Sequence, residues 1–305
     1  NGDIKLATLM DTTAETISAP NLTTAGTFDS YGSNLITNGE FPNNADGWGL
    51  GNDFTWDNSG RVERTSGSAN SFFQQTIQIT SGRAYRVRYD VTHASGNNQS
   101  TFYSDYGVGS RTIVQQYGSG SVEEYFIAHT TGDFNVKLYG IGDFRGYWDN
   151  VVIEELQGVT FRTVQADGTA SIDPATFSLA NGQVTITSNS PNATIYIPLT
   201  GLTVGKTYEV TFDYVANPNA GSANGISYLQ YGSTQIVPTG TLGTSAGMTV
   251  TKQFVAETAA GNLSFGTYAN AGQGFTIDNV SVVEAVADRS VNGNGLNIVG
   301  NVTKS

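Results

Sequence analysis

The stretch RGYWDNVVIEE, Arg145–Glu155, decides the fold, because the chain repeats it later as GFTIDNVSVVE, Gly274–Glu284. Each copy places a glycine and an aromatic residue before Asp-Asn-Val, and each ends in an alternating apolar run that closes on Glu. An alternation of period two is typical of a half-buried β-strand. The repetition therefore predicts two copies of one β unit, each closed by the same acidic strand.

The repeat extends beyond the closing strand. ITSGRAYRVRYDV, residues 79–91, lines up with LTVGKTYEVTFDY, residues 202–214, and a later pair aligns residues 122–140 with residues 250–269. Short Gly-containing turns separate these alternating runs, and no window has a stripe of helical period. Many short strands with closely spaced turns are typical of a sandwich or barrel. We therefore predict an all-β fold of two tandem antiparallel β-sandwiches of the jelly-roll type.

The alignment also predicts the boundaries of the domains. The first sandwich is expected over residues 34–157 and the second over residues 158–286. Residues 1–33 and 287–305 are rich in Thr, Asn and Gly without a closed apolar pattern, so we interpret them as extended arms or linkers. The second copy, taken from residue 158, lacks the tryptophans and the Asn-Gly-x-Phe opening of the first.

The composition excludes several partners. The chain has 14 Lys and Arg against 26 Asp and Glu, a net charge of −12. A polyanion requires a basic stripe, so neither nucleic acid nor an anionic membrane surface is an expected partner. No apolar run approaches the ~18–20 residues that cross a bilayer, so we expect no membrane insertion. Cysteine is absent, which excludes disulfides and thiolate chemistry.

One constellation resembles a known family. The stretch NLITNGEF, Asn34–Phe41, is followed by Gly47 and Trp48, then by the turn-and-strand unit, and finally by WDNVVIEE. This order is similar to that of the carbohydrate-binding β-sandwich modules that accompany secreted xylanases and glucanases. The resemblance covers the whole first copy and implies a sandwich fold with glycans as ligands.

The same resemblance implies a structural calcium ion. In such modules the two termini lie side by side, and the matching positions here are Glu40 in the opening stretch and Asp149 in the closing strand. Calcium takes six to eight hard oxygen ligands, which carboxylates and carbonyls supply. Glu40 precedes Phe41 here, whereas the family places Glu after Phe, which moves it to the opposite face of an ideal strand. The alternative is that Asp149 and its counterpart Asp278 bond to neighbouring backbone and fix the strand.

Sugar binding requires exposed aromatic faces beside polar groups, because a pyranose ring stacks its apolar face on Trp or Tyr. The richest stretch is residues 101–118, and the second copy offers ISYLQYGSTQ, residues 226–235. Buried aromatic residues dominate sandwich cores, so a core or rim position explains Trp48 and Trp148 better than a binding platform does. The candidate glycan-binding residues are Trp48, Trp56, Tyr103, Asp105, Tyr106, Arg111, Tyr147, Trp148, Tyr228 and Tyr231.

The sequence predicts that the chain is not an enzyme. Glycosidases need two carboxylates that face each other across a cleft. The pairs Glu123–Glu124 and Glu154–Glu155 are adjacent on predicted strands, so the members of each pair point to opposite faces.

The two tails resemble segments of bacteriophage tail fibres and virion proteins. The stretches are IKLATLMDTTAETISAPNLTTAG, residues 4–26, and DRSVNGNGLNIVGNVTKS, residues 288–305. This resemblance implies a non-enzymatic virion-surface protein, such as a fibre, an adhesin or a capsid decoration, that contacts host glycans and other virion proteins as a homo-oligomer. The alternative is a secreted carbohydrate-binding segment of a bacterial polysaccharide-degrading enzyme.

Overall fold

The computed structural model describes two antiparallel β-sandwiches, which confirms the all-β prediction. Described are residues 21–23, 26–106, 109–128, 130–162, 177–187, 193–216, 225–237, 242, 246–267 and 274–285, with the side chains of residues 104–111 and 187 excepted. Within these ranges the chain contains no helix long and apolar enough to cross a membrane.

The first sandwich consists of two sheets. Sheet 1A has the order β3-β4-β11-β6-β9, with β1 paired to β11, and sheet 1B has the order β2-β5-β10-β7-β8. The strands are β1 Tyr31–Asn34, β2 Gly49–Leu50, β3 Phe54–Trp56, β4 Val62–Arg64, β5 Ser71–Ile79, β6 Ala84–Ser95, β7 Gln99–Tyr106, β8 Gly109–Tyr117, β9 Gly120–Ile127, β10 Gly132–Gly140 and β11 Arg145–Leu156.

Among the described strands, the second sandwich repeats this arrangement, except that β1 has no counterpart. Sheet 2A has the order β13-β14-β21-β16-β19, and sheet 2B has the order β12-β15-β20-β17-β18. The strands are β12 Thr160–Arg162, β13 Phe177–Ala180, β14 Gln183–Thr187, β15 Thr194–Thr200, β16 Thr207–Ala216, β17 Tyr228–Tyr231, β18 Thr234–Val237, β19 Met248–Val255, β20 Ala260–Gly266 and β21 Gly274–Glu284. The same strand order in both halves explains why the sequence repeats.

Alternation along each strand divides core from surface. In β10, Phe134, Val136 and Leu138 are buried, while the residues between them are partly exposed. Successive side chains of a strand point to opposite faces, so the apolar set lies between the two sheets. The polar set, together with a few aromatic residues, is left on the outer face of each sheet.

A β-bulge explains the repeated Asp-Asn-Val. Between Asp149 and Val152 the register of β11 against β6 shifts, and Asn150 has a φ of 53°. Asn tolerates this left-handed conformation better than most residues do. Its backbone N–H donates to Asp149 Oδ1 at 2.7 Å, and its side-chain amide donates to Asp90 Oδ2 at 2.7 Å. The motif thus builds a bulge in which each polar side chain has a fixed bonding partner.

The bulge ties the closing strand to the opening segment. The Val151 N–H donates to the Gly39 carbonyl at 2.9 Å, and Leu35 N–H donates to the Ile153 carbonyl at 2.8 Å. A Cβ added at Gly39 would lie 2.0 Å from the Val151 carbonyl oxygen, so only glycine fits there. Phe41 follows with a φ of 45° and is fully buried. These contacts account for the Asn-Gly-x-Phe opening.

The second sandwich has an opening segment of the same kind, but residues ahead of the first sandwich supply it. Asn21–Phe28 reads NLTTAGTF, and Val280 N–H donates to the Gly26 carbonyl at 2.8 Å while Leu22 N–H donates to the Val282 carbonyl at 2.9 Å. A Cβ at Gly26 would lie 2.1 Å from the Val280 carbonyl oxygen. Phe28, with a φ of 47°, is buried in the second core.

This arrangement corrects the interpretation of residues 1–33 as one extended arm. Phe28 belongs to the core of the second sandwich and Leu22 packs against it, so the first sandwich is inserted between this segment and the rest of the second sandwich. The second sandwich thus has an opening that shares the Asn-Leu start and the Gly-x-Phe end of the first, although Asn-Gly is replaced by Ala-Gly. An alignment of the second copy from residue 158 does not contain this segment, because it lies before the first copy along the chain.

The two sandwiches also share apolar contacts. Ala84, Ile127 and Leu156 of the first sandwich belong to the buried cluster of the second. The Phe161 N–H of β12 donates to the Gly82 carbonyl of the first sandwich at 2.8 Å. The junction is therefore a packed interface, which adds to the covalent link at residues 157–159.

We predict that Phe28→Ala destabilises the second sandwich and leaves the first largely intact. Removing a buried Phe typically costs about 3–5 kcal/mol, because the cavity is only partly refilled. Hydrogen exchange followed by mass spectrometry should show faster exchange in β16 and β21 and unchanged exchange in β6 and β11.

The matched variant is Phe41→Ala, which should give the reverse pattern. Deletion of residues 1–20 serves as the control, because it leaves Asn21–Phe28 in place. Unchanged exchange of β21 in Phe28→Ala would contradict the inserted arrangement.

Candidate functional site

Three of the predicted glycan-binding residues are core residues, so those predictions are wrong. Trp48 is 7% exposed, and Trp148 and Tyr231 are fully buried. The Trp48 indole donates to the Asn38 carbonyl at 3.2 Å, and the Trp148 indole donates to Ser100 Oγ at 2.9 Å. A ring packed on both faces offers no surface on which a sugar could stack.

Trp56 and Tyr147 both lie in sheet 1A. Trp56 is half-buried at the edge strand β3, where it packs against the core and donates to the Phe41 carbonyl at 2.9 Å. Tyr147 lies on the outer face of this sheet, and the Arg61 guanidinium carbon lies 4.0 Å from the centre of its ring. A hydrogen bond to Glu63 raises the pKa of the Tyr147 hydroxyl. These two residues therefore do not share a surface with candidates on sheet 1B.

Asp105, Tyr106 and Arg111 were predicted in the richest aromatic stretch. Their backbones lie on β7 and β8, where Asp105 pairs with Ser110 and Tyr106 pairs with Gly109. Their side chains lie outside the described residues, so these three remain predictions.

Tyr103 belongs to a continuous row of rings on the outer face of sheet 1B. The ring centres of Tyr103 and Tyr139 are 5.3 Å apart, and those of Tyr139 and Phe72 are 4.8 Å apart. The three residues come from the neighbouring strands β7, β10 and β5, and all three are half-buried. We call this row the 1B ring strip. It crosses the sheet in the hydrogen-bonding direction.

Polar side chains lie beside the 1B ring strip on the same face. Gln74 pairs with Lys137 in the register of β5 and β10, and Thr76 pairs with Asn135 in the next outward position. The Thr76 hydroxyl donates to Asn135 Oδ1 at 2.8 Å, and the Lys137 ammonium lies 4.9 Å from the Phe72 ring centre. The face therefore combines flat apolar surface with amide, hydroxyl and ammonium groups.

A groove continues the strip at the edge of the sheet. It has a volume of about 310 Å³ and is bounded by residues that include Leu50, Ser71, Phe72 and Gln74. Leu50 is 36% exposed although it is large and apolar. The ring strip thus leads from β7 to a groove beside β2, and both together form the candidate site.

Sequence reasoning missed Phe72 and Tyr139. Each stands next to a buried aromatic or aliphatic residue, in SFFQQ and KLYG, and their alternation assigns one member of each pair to the outer face. The alternation of inward and outward positions along these strands indicates that Phe72 and Tyr139 point outward. The row they form with Tyr103 becomes visible only when β5, β10 and β7 are known to be neighbours in one sheet.

Tyr228 is the remaining aromatic candidate, and it lies half-buried on the outer face of sheet 2B. Its hydroxyl and the Thr194 hydroxyl are 2.6 Å apart. It belongs to the second sandwich and is therefore separate from the 1B ring strip.

Glu40 and Asp149 remain predicted calcium ligands. Glu40 is exposed, and one oxygen of Asp149 already accepts the Asn150 N–H. Within the described ranges, no group of three or more His, Cys, Asp or Glu side chains is arranged to hold a metal ion. Calcium requires six to eight oxygens. The contacts of Asp149 are better explained by the bulge than by a cation.

Electrostatics at the bulge follow from burial. Burial raises the pKa of Asp149, and the negative charges of Asp90 and Glu40 act in the same direction. Burial likewise raises the pKa of Asp278 in the second copy, with Asp213 nearby. The ionised form of each carboxyl is therefore less favourable in the folded protein than in the unfolded chain, which lowers the stability of the folded state at neutral pH.

Comparison with solved structures finds similar proteins of low sequence identity. The N-terminal CBM22-1-CBM22-2 tandem domain of Xyn10C from Paenibacillus barcinonensis is 8% identical, with 83% of this chain and 98% of that chain covered and a TM-score of 0.36. The carbohydrate-binding module TmCBM61, solved with β-1,4-galactotriose, is 16% identical over 40% of this chain and 98% of its own, with a TM-score of 0.30.

A further similar structure is allantoicase from Saccharomyces cerevisiae, which is 10% identical over 86% of this chain and 94% of its own, with a TM-score of 0.26. No protein-family model and no curated protein sequence matches the chain at a significant level. Likenesses with TM-scores this low say nothing about the ligand or activity of this chain.

We predict that Asp149→Asn melts at or above the wild-type temperature at pH 7. Folding raises the pKa of this carboxyl, so its protonated form is favoured in the folded state. Its contribution to folding stability is complete only below the pKa of the unfolded chain, and it is lost as the pH rises through the pKa of the folded protein. The advantage of Asn should therefore shrink as the pH falls to about 4, the ordinary pKa of Asp. Thermal unfolding followed by circular dichroism from pH 3 to pH 8 measures this.

Asp278→Asn is the matched change in the second sandwich. Its melting temperature should also be at or above that of the wild-type protein at pH 7, and the difference should shrink as the pH falls. Addition of excess chelator to the wild-type protein should leave its melting temperature unchanged. A less stable Asp149→Asn variant at pH 7, combined with chelator-sensitive melting, would restore the calcium interpretation.

Proposed function

We propose that the chain is a non-enzymatic glycan-binding protein whose first sandwich binds a polysaccharide across the 1B ring strip. The observation that carries this proposal is the row formed by Phe72, Tyr139 and Tyr103 on an outer face. Aromatic side chains normally fill the core of a sandwich, so a contiguous partly exposed row calls for a partner.

The chemistry of the face fits a sugar chain. A pyranose ring has an apolar face that stacks on an aromatic ring and hydroxyls at its rim that bond to polar groups. Gln74, Asn135 and Lys137 supply amide and ammonium groups beside the rings. The groove at Leu50 extends the same surface, so that a linear chain of several sugar units can lie along it.

Two settings fit a glycan-binding role for this chain: a secreted segment and a virion-surface protein. The ring strip supports glycan binding, which is the whole role of a secreted, extracellular carbohydrate-binding segment and only part of the role of a virion-surface protein. The virion setting, with its homo-oligomer and its virion partners, rests on tails that lie mostly outside the described residues. We therefore favour the secreted segment and keep the virion-surface protein as the alternative.

The expected result of Tyr139→Ala is a loss of affinity for the bound polysaccharide of at least about fivefold, the equivalent of about 1 kcal/mol for truncation of an aromatic contact. Tyr139 is the central ring and contacts both neighbours, so its removal interrupts the strip. Affinity electrophoresis in gels that contain β-1,4-xylan, β-1,4-galactan or mixed-linkage β-glucan measures the change. Phe72→Ala and Tyr103→Ala should weaken binding less, because each removes one end of the strip.

Tyr147→Ala is the matched control, since it removes a partly exposed tyrosine from the opposite sheet of the same sandwich. It should migrate as the wild-type protein does. The proposal fails if the wild-type protein is retarded by none of the polysaccharides. It also fails if Tyr147→Ala abolishes a retardation that Tyr139→Ala leaves unchanged.

A further inference from the structure

Tyr228 of the second sandwich has an unusual orientation. It pairs with Gly266 in the register of β17 and β20, and a Cβ added at Gly266 would lie 2.1 Å from Tyr228 Cζ and 2.2 Å from its hydroxyl oxygen. The ring therefore lies against the sheet, over the backbone of Gly266. Its hydroxyl lies 2.6 Å from the hydroxyl of Thr194 on β15, the strand on the far side of β20. The side chain is thus anchored at its base on β17 and at its tip on β15.

This orientation is not needed to fill the core. The neighbours of Tyr228 on β17, Leu229 and Tyr231, are fully buried between the sheets, whereas Tyr228 is on the other side of the strand. Side chains on strands usually stand roughly perpendicular to the sheet. A ring that lies flat over the sheet directs its other face away from the sheet, and Tyr228 is half-buried. A fixed ring loses little conformational entropy when a ligand stacks on it.

The surroundings of the ring are mostly polar. Gln230 and Tyr196 both pair with Ser264, one outward position along from Gly266, and all three are on the outer face of sheet 2B. The described outward residues of β15, β20 and β17 include no Asp, Glu, Lys or Arg, but Arg162 of β12 is exposed and pairs with Thr194 at the edge of the same face. The corresponding face of sheet 1B contains Lys137 and Asp133. The two faces therefore differ in charge although their strands correspond.

We infer that the outer face of sheet 2B is a second binding site, which takes a pyranose unit stacked on Tyr228. Gly266 and Thr194 act as positioning residues, because one leaves room for the flat ring and the other holds its tip. This inference rests on the proposed function in taking glycans as the ligand class, but it rests on separate residues. It predicts two sugar sites for each chain, one in each sandwich.

Isothermal titration calorimetry of the full chain with xylotetraose, galactotetraose and cellotetraose tests the inference. The best-binding oligosaccharide should give two sites for the wild-type protein and one site each for Tyr139→Ala and Tyr228→Ala. Gly266→Ala should weaken the second site at least about fivefold. The added methyl group meets only the far end of a side chain that can swing away, so this variant is expected to fold.

Combining Gly266→Ala with Tyr228→Ala distinguishes a positioning role of Gly266 from general destabilisation of the second sandwich. Gly266→Ala should lower affinity in the wild-type background and have no further effect in the Tyr228→Ala background. Val255→Ala, on the exposed edge strand β19 of sheet 2A, is the control and should leave both sites unchanged. Circular dichroism melting checks that each variant is folded.

The outcomes distinguish the two proposals. One site in the wild-type protein, lost in Tyr139→Ala and unchanged in Tyr228→Ala, would overturn the second site and leave the proposed function standing. A site that Tyr228→Ala removes and Tyr139→Ala does not touch would support the second site and move the proposed function away from the first sandwich. Absence of binding to every oligosaccharide and to the polysaccharide gels would overturn both.

Discussion

The left-handed asparagine in each closing strand is the constraint on which both sandwiches depend. Asn150 and Asn279 adopt φ values of 53° and 50°, and their side-chain amides donate to Asp90 and Asp213 at 2.7 and 2.8 Å. The bulge turns the next N–H away from the neighbouring strand and toward the opening segment. A buried N–H without a partner is costly, so the opening segment must lie where it does.

The sandwich frame then determines which aromatic residues remain outside. Each sheet buries one face, and the strand order places β5, β10 and β7 side by side, so that outward rings from three separate parts of the chain form one row. In the second sandwich the corresponding face has Tyr196 and Tyr228, and the ring of Tyr228 lies flat over a glycine. The frame is conserved between the halves, whereas the outer faces differ in ring number and charge. This division is expected when a scaffold is duplicated and its surfaces then change independently.

The fold could be predicted from the sequence more fully than the candidate site. Alternation at Tyr85, Val87 and Tyr89 identifies a strand and its buried face, and the repeated Asp-Asn-Val identifies the duplication. Alternation cannot tell which of the two faces is outside, and for that reason Trp148 and Tyr231 were taken as ligand residues although they are buried. Phe72 and Tyr139 were missed because a ring strip is a property of strand neighbours. The similarity of NLTTAGTF to NLITNGEF can be read from the sequence. That it packs against β21, more than 250 residues later, is shown only by the structure.

Insertion of one sandwich inside another has a consequence for synthesis. Phe28 leaves the ribosome before the first sandwich is made, yet its partners in β21 emerge only near residue 280. At about 5–20 residues per second, the delay is on the order of tens of seconds. During that time the first sandwich can be complete, while the side chains of Leu22 and Phe28 still lack the core against which they pack. The second sandwich therefore cannot finish folding until almost the whole chain has been synthesised, whereas the first can fold much earlier.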